Sequence, residues 1–224
     1  MKIRLFTALV WATLFVTNLA SALDVNELRS KAEQGDAAAQ YELALAYDAG
    51  SGVQKDLGQA ANWCLKAAEQ GHAAAQNCIG SMYQYGDGVP MDEAAAAAWY
   101  EKSAAQDYGE AYTNLGYLYD LGKGVSQDRA RAVELYLKGA EKGSLNAMLN
   151  VGVSYWQGAG VAVDRVEAYK WLDLARFYSQ RSENMQLKWR VRGALDELQK
   201  KMSKAEIREG KQRSKEWDAS HRPR

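Results

Sequence analysis

Gly50, Gly86, Gly122 and Gly158 stand 36 residues apart. So do Gly52, Gly88, Gly124 and Gly160, and the four valines that follow them, Val53, Val89, Val125 and Val161. Asp56, Asp92, Asp128 and Asp164 keep the interval, as do Tyr47, Tyr83, Tyr119 and Tyr155, and Ala39, Ala75, Ala111 and Ala147. A chain that fixes six columns in this way must build one supersecondary unit four times, because each position then has the same local environment in every copy. The units are read as 37–72, 73–108, 109–144 and 145–180.

Each unit reads as two helices. In the third, Ala111, Leu115, Leu118 and Tyr119 recur at helical spacing, then Gly122-Lys123-Gly124-Val125 turns the chain. Asp128 is placed to cap a second helix, whose stripe is Ala132, Leu135, Tyr136 and Ala140. Gly71 and Gly143 end second helices, while Asp107 stands in that column as a weaker stop. Gly80, Gly116 and Gly152 sit inside first helices, where glycine costs about 1 kcal/mol relative to alanine; two backbones are expected to approach closely there. No unit can bury its apolar face alone, so the expected fold is all-α, a right-handed α-solenoid of four helix-turn-helix units. Residues 23–36 read as an N-terminal capping helix, since Ala32-Glu33-Gln34-Gly35 echoes Ala68-Glu69-Gln70-Gly71.

The run Gly86-Asp87-Gly88-Val89, with Asp92, Ala96, Trp99 and Tyr100, resembles the Sel-one-like repeat, a relative of the tetratricopeptide repeat. Trp63 through Ala67-Ala68-Glu69-Gln70-Gly71 fits as well, and the resemblance spans about residues 24–178. It departs at Leu135, which replaces an aromatic, and at Ala44, which replaces the first-helix glycine. The resemblance implies a scaffold or adaptor with a protein or peptide partner, and no particular ligand. In tetratricopeptide-like arrays the first helices line a concave groove. Carrying that facing over selects Tyr41, Leu45 and Asp48, then Asn77, Ser81, Gln84 and Tyr85. In the later units it selects Thr113, Tyr117, Asp120 and Leu121, then Leu149, Val153 and Trp156. Aromatic anchors in a groove suit peptide recognition. The competing reading packs several of them against neighbouring helices or the C-terminal extension.

Residues 1–22 read as a cleaved signal peptide: Lys2 and Arg4, a largely apolar stretch of twelve residues from Leu5 to Val16, then Ala20-Ser21-Ala22. A mature chain from about Leu23 would be periplasmic or secreted. Cys64 and Cys78 lie seven residues either side of Gly71. Residues equidistant from an antiparallel turn lie at similar height, so an oxidising compartment favours a disulfide; two buried thiols are the alternative.

The 28 basic and 28 acidic residues balance, which speaks against a nucleic-acid partner. Two His and two Cys leave little material for a zinc site, and no cofactor or metal is expected. The Gly-x-Gly turn follows a helix and lacks the partners of a phosphate loop. No Ser-x-x-Lys, Lys-Thr-Gly or His-Glu-x-x-His occurs, so no catalytic residue is assigned. A β-lactamase-like or penicillin-binding envelope enzyme is the catalytic alternative that the resemblance brings with it.

The extension at 181–224 is of different composition. Residues 176–224 carry a net charge of +7 and residues 23–175 of −9. Leu187, Val191, Leu195, Leu198 and Met202 form an amphipathic stripe that is expected to cap the array. Ser203-Lys204-Ala205-Glu206 is a capping-box pattern opening a last, polar helix, with fraying expected after Trp217. Arg208, Lys211, Arg213 and Lys215 are a candidate basic patch for an anionic envelope or membrane surface.

Overall fold

The computed structural model describes residues 25–180 and 182–221. The leader reading of residues 1–22, and the start at Leu23, lie outside the described residues. All regular structure among the described residues is helical. The first helix, α1, spans residues 25–33. It is followed by α2 (Ala37–Ala49), α3 (Leu57–Glu69), α4 (Ala73–Tyr85) and α5 (Glu93–Ala104). Then come α6 (Gly109–Leu121), α7 (Arg129–Glu141), α8 (Leu145–Gln157) and α9 (Arg165–Ser179), and after the repeats α10 (Met185–Gln199) and α11 (Lys204–His221). The helix pairs α2/α3, α4/α5, α6/α7 and α8/α9 are the four expected units.

The repeated columns have identifiable causes. Gly50, Gly86, Gly122 and Gly158 end the first helices in the left-handed region. The turn is then closed by a backbone bond from the Asp column to the Tyr column: Asp56 N–H to Tyr47 O, Asp92 to Tyr83, Asp128 to Tyr119 and Asp164 to Tyr155, at 2.9–3.0 Å. The same aspartates accept from the next helix's first turn, as when Asp128 Oδ1 takes Arg131 N–H at 2.9 Å. One residue therefore closes the turn with its N–H and starts the next helix with its carboxylate.

First helices are capped by a column of mixed identity. Asp36 accepts from Ala39 N–H at 2.9 Å, His72 Nδ1 from Ala75 N–H at 3.2 Å and Ser144 Oγ from Ala147 N–H at 3.4 Å. His72 is thus a helix cap. Asp107 takes φ of 63°, where Gly35, Gly71 and Gly143 stand in the other units. Its carboxylate is held by Lys142 at 2.9 Å and by the Tyr112 hydroxyl at 3.0 Å. These two partners, Lys142 first, keep the Asp107 carboxyl below the usual range.

The first-helix glycines make more than a backbone contact. A Cβ on Gly116 would lie 2.8 Å from the Tyr136 ring, and one on Gly152 2.6 Å from Leu172 Cγ. The partner helix's backbone is also near, the carbonyls of Ala132 and Ala168 standing 3.2 Å from those positions. The glycine column therefore admits a large side chain from the second helix as well as its backbone.

The chain divides within α5 into two compact units, one up to Trp99 and one from Tyr100. In the first, Ala32, Leu43, Ala44, Trp63, Cys64 and Ile79 belong to a continuous core. Cys64 of α3 and Cys78 of α4 form a disulfide, with their Cα atoms 6.4 Å apart. Two buried glutamines also join its elements: Gln40 Nε2 donates to Ala32 O at 3.0 Å, and Gln76 Nε2 to Ala68 O at 3.1 Å. Each adds a side-chain bond to a carbonyl in the last turn of the preceding helix that also accepts a backbone N–H, from Gly35 at 3.1 Å and from Gly71 at 3.0 Å.

In the second unit the core runs from α7 through α8 and α9 into the extension. Leu187, Val191, Leu195 and Leu198 of α10 are all buried against it, each contributing about 1.5–3 kcal/mol of transfer free energy before ordering costs. The last helix also docks, on α9. Gly210 sits against the Tyr169 ring, Ser214 Oγ donates to Asp173 Oδ2 at 2.9 Å, and Arg213 Nη1 reaches Glu167 Oε2 at 3.5 Å. The Tyr178 hydroxyl bonds Asp218. The capping box forms as read: Ser203 N–H donates to Glu206 Oε2 at 2.7 Å, and Glu206 N–H to Ser203 Oγ at 3.2 Å. Fraying is expected after Trp217; residues 222–224 lie outside the described residues. The helix runs on to His221, with Trp217 stacked on the His221 ring at 4.0 Å and edge-on to Trp171 at 5.5 Å.

Candidate interaction surface

Three of the residues read as groove-lining do not present their side chains to solvent. Gln84 is buried on α4. Thr113 is buried, its hydroxyl 2.8 Å from Ser144 Oγ and 3.1 Å from the Gly109 carbonyl, so it stitches α6 to the cap of α8. Leu149 belongs to the core of the second unit, to which α8, α9 and α10 all contribute. Val153 and Trp156 are half-buried against the same core, and Lys201 Nζ stands 5.8 Å above the Trp156 ring. At this end of the chain the extension takes much of the face expected to be free.

What stays open lies earlier. On α6, Tyr117 is 38% exposed and Leu121, one turn on, 45% exposed. Asp120, between them in sequence, pairs with Arg129 at 3.4 Å. Beneath this face the Tyr136 hydroxyl is buried; burial first, then the Asp120 and Tyr117 side chains, pushes it well above the ordinary tyrosine range. In the first unit, Tyr85 at the end of α4 is 64% exposed. Asn77 is half-buried on α4, and the half-buried Tyr41 ring of α2 lies 5.0 Å from His72. Tyr41, Tyr85, Tyr117 and Leu121 are exposed or half-buried apolar and aromatic side chains, suited to anchoring a partner's side chains.

The four basic-patch residues divide. Arg208, Lys211 and Lys215 follow at steps of three and four on the exposed side of α11. Arg213 points the other way and is occupied by Glu209 at 2.6 Å and Glu167 at 3.5 Å. It holds α11 to α9 instead of extending the patch. The spacing carried the signal, since residue 213 falls about 160° around the helix from residue 211 at 100° per residue.

Among the described residues, no group of three or more His, Cys, Asp or Glu side chains is arranged to hold a metal ion, and no helix is long and apolar enough to cross a membrane.

The family model for the Sel1 repeat matches residues 37–72, 73–108, 109–144 and 145–176. The chain is similar to the crystal structure of c5321, a protective antigen present in uropathogenic Escherichia coli strains that displays an SLR fold. The identity is 40% and the TM-score 0.65, over 69% of this chain and 33% of that one, so the likeness spans about a third of that protein. It is also similar to a Sel1 repeat protein from Oxalobacter formigenes, at 33% identity and a TM-score of 0.60, over 70% of each chain. No curated protein matches the chain. Four consecutive matched units, together with the repeated turn closures and helix caps, settle the relationship: the chain belongs to the Sel1 repeat family.

Proposed function

We propose that this chain is an exported, non-catalytic scaffold that binds a peptide or protein through the outward face of its first helices. Sel1 repeat proteins are generally protein-interaction scaffolds, which supports the class. The observation that carries the site is the exposed Tyr117–Leu121 pair, one turn apart on a helix whose opposite face is locked into the core. Tyr85 offers a comparable anchor in the first unit. Export is supported by the leader pattern at 1–22 and agrees with the Cys64–Cys78 bridge.

The test is capture from a bacterial envelope extract by the protein secreted through its own leader, beside a Tyr117→Ala/Leu121→Ala variant that keeps its circular dichroism. A partner held by the first and lost by the second would support the face. A partner held equally by both would remove α6 from the site. Recovery of the protein in the cytoplasm with its leader intact would remove export. A chromogenic β-lactam should stay intact, and its turnover would move the chain to the catalytic alternative.

A further inference from the structure

The inward stripe of α10 is used up in the core, yet its outer face is also apolar. Met185, Trp189 and Gly193 follow at steps of four along that face. Met185 is 61% exposed and Trp189 77% exposed, and the space above Gly193 is open, with nothing within 4 Å of where a Cβ would stand. Lys188, Arg192 and Asp196 lie beside them on the same face of α10. The same three residues also line a cleft of about 650 Å³, which continues between α9, α10 and α11 to Arg176, Lys211 and Gln199. The exposed α10 face and this cleft therefore form one surface, apolar at one end and cationic at the other.

The charge on this surface is unbalanced. Four cations line it, Arg176, Lys188, Arg192 and Lys211, against one lining acid, Asp196. Arg176 is shared with Asp173 at 2.7 Å, and Arg192 approaches Asp196 only to 3.8 Å. Lys188 and Lys211 have no carboxylate within ion-pair distance among the described residues. The amides of Gln180 and Gln199 line the cationic end and can meet a peptide backbone.

We infer that the C-terminal helices carry a docking site for an acidic peptide segment of a partner protein, one that interleaves carboxylates with apolar side chains. Trp189 and Met185 would take an apolar side chain over Gly193, while Lys188, Arg192 and Lys211 would meet flanking carboxylates. Exposed aromatic anchors supply binding energy, and the complementary charges supply orientation and on-rate. A cleft with Asp196 on its rim suits a narrow chain better than a flat anionic bilayer, which would leave the cleft empty and repel that carboxylate. The inference rests on the scaffold reading. It adds the partner's chemistry and a face separate from Tyr117 and Leu121.

The probe is a fluorescein-labelled twelve-residue peptide of repeated Glu-Glu-Leu-Phe, followed by fluorescence polarisation with the full chain. Its controls are the Lys-Lys-Leu-Phe and Glu-Glu-Ser-Ser analogues. The acidic apolar peptide should bind about tenfold more tightly than either control, and more weakly as salt rises. Trp189→Ala and Lys188→Glu/Arg192→Glu should each weaken it about tenfold or more. These side chains lie at the surface, so folding is checked by unchanged circular dichroism. Tyr117→Ala/Leu121→Ala should leave peptide binding unchanged. Equal binding of the three peptides, or indifference to the α10 variants, overturns the inference. So does displacement of the peptide by phosphatidylglycerol vesicles that hold the protein at physiological salt, which would make the face a lipid surface. Peptide binding that fails while envelope capture through α6 persists sinks this site alone; the reverse outcome sinks the α6 face alone.

Discussion

Gly71 and Gly88 separate two reasons for which a chain needs glycine. Both have positive φ, +89° and +74°. Gly71 has nothing within 4 Å of where a Cβ would stand, so alanine there meets only the left-handed backbone, a cost of about 1–2 kcal/mol. At Gly88 a Cβ would lie 2.0 Å from the Leu57 carbonyl oxygen and 2.9 Å from the Gly58 nitrogen. A carbon needs more than 3 Å from such an oxygen, so the turn or the start of α3 must move by about an ångström. Overpacking typically costs about 1–3 kcal/mol, and more where backbone must yield. Gly88→Ala should therefore lose at least about 3 kcal/mol in total, against about 1–2 for Gly71→Ala. Urea titration of the oxidised protein, followed by far-ultraviolet circular dichroism, reads the difference as two separated midpoints. Gly160→Ala, two repeats on in the other unit, places a Cβ 2.2 Å from the Arg129 carbonyl oxygen and should behave like Gly88→Ala. Equal midpoints for the Gly71 and Gly88 variants, or a milder Gly88 variant, would refute the claim that these turns are pressed against the preceding repeat.

Reduction of Cys64–Cys78, confirmed by thiol titration, should lower the unfolding free energy by about 3 kcal/mol, the chain-entropy value for a loop of about 15 residues; an unchanged urea curve for the reduced protein would contradict it. At Asp107, Gly should be at least as stable as Asp, and Val about 1–2 kcal/mol worse than Gly, because a β-branched side chain resists positive φ; thermal melts of the three proteins rank them. Tyr136 has a folded pKa raised by burial, so its contribution is intact below the unfolded tyrosine value of about 10 and is lost as pH rises through the folded value. Tyr136→Phe should flatten the alkaline fall in stability, and an unchanged slope would count against the burial. The Ser203 backbone N–H, then its hydroxyl, holds the Glu206 carboxyl below the usual range, so the capping box contributes above the unfolded value and is lost as pH falls through the folded one. The protection of amides at the start of α11, their exchange rate relative to the intrinsic rate at each pH, should fall in acid for the native chain and be low at all pH values for Ser203→Ala/Glu206→Gln.

How much of this was legible depended on whether a residue acts within its own repeat. The Asp column closes a turn and caps a helix through atoms a few residues away, so identity and spacing alone revealed it. The exposed faces depend on what docks from far along the chain, which spacing within a repeat does not encode. Leu149 occupies a groove position by register, but it is buried in the same core as Leu187, Val191, Leu195 and Leu198 of the extension. Thr113 was offered to a partner by the same register, yet a threonine hydroxyl beside Ser144 gains more from a 2.8 Å bond inside the protein than from water outside it. Gln40 and Gln76 were passed over although they stand 36 residues apart, because a buried amide cannot be told from an exposed one until its carbonyl partner is known. Trp189 lies outside the Leu187–Leu198 stripe. That stripe nevertheless fixes its position: residue 189 falls about 200° around the helix from Leu187, away from the core that the stripe buries. Once α10 is known to dock by that stripe, an exposed tryptophan between Lys188 and Arg192 follows from helical geometry alone, and the burial of the stripe is what leaves it open to a partner.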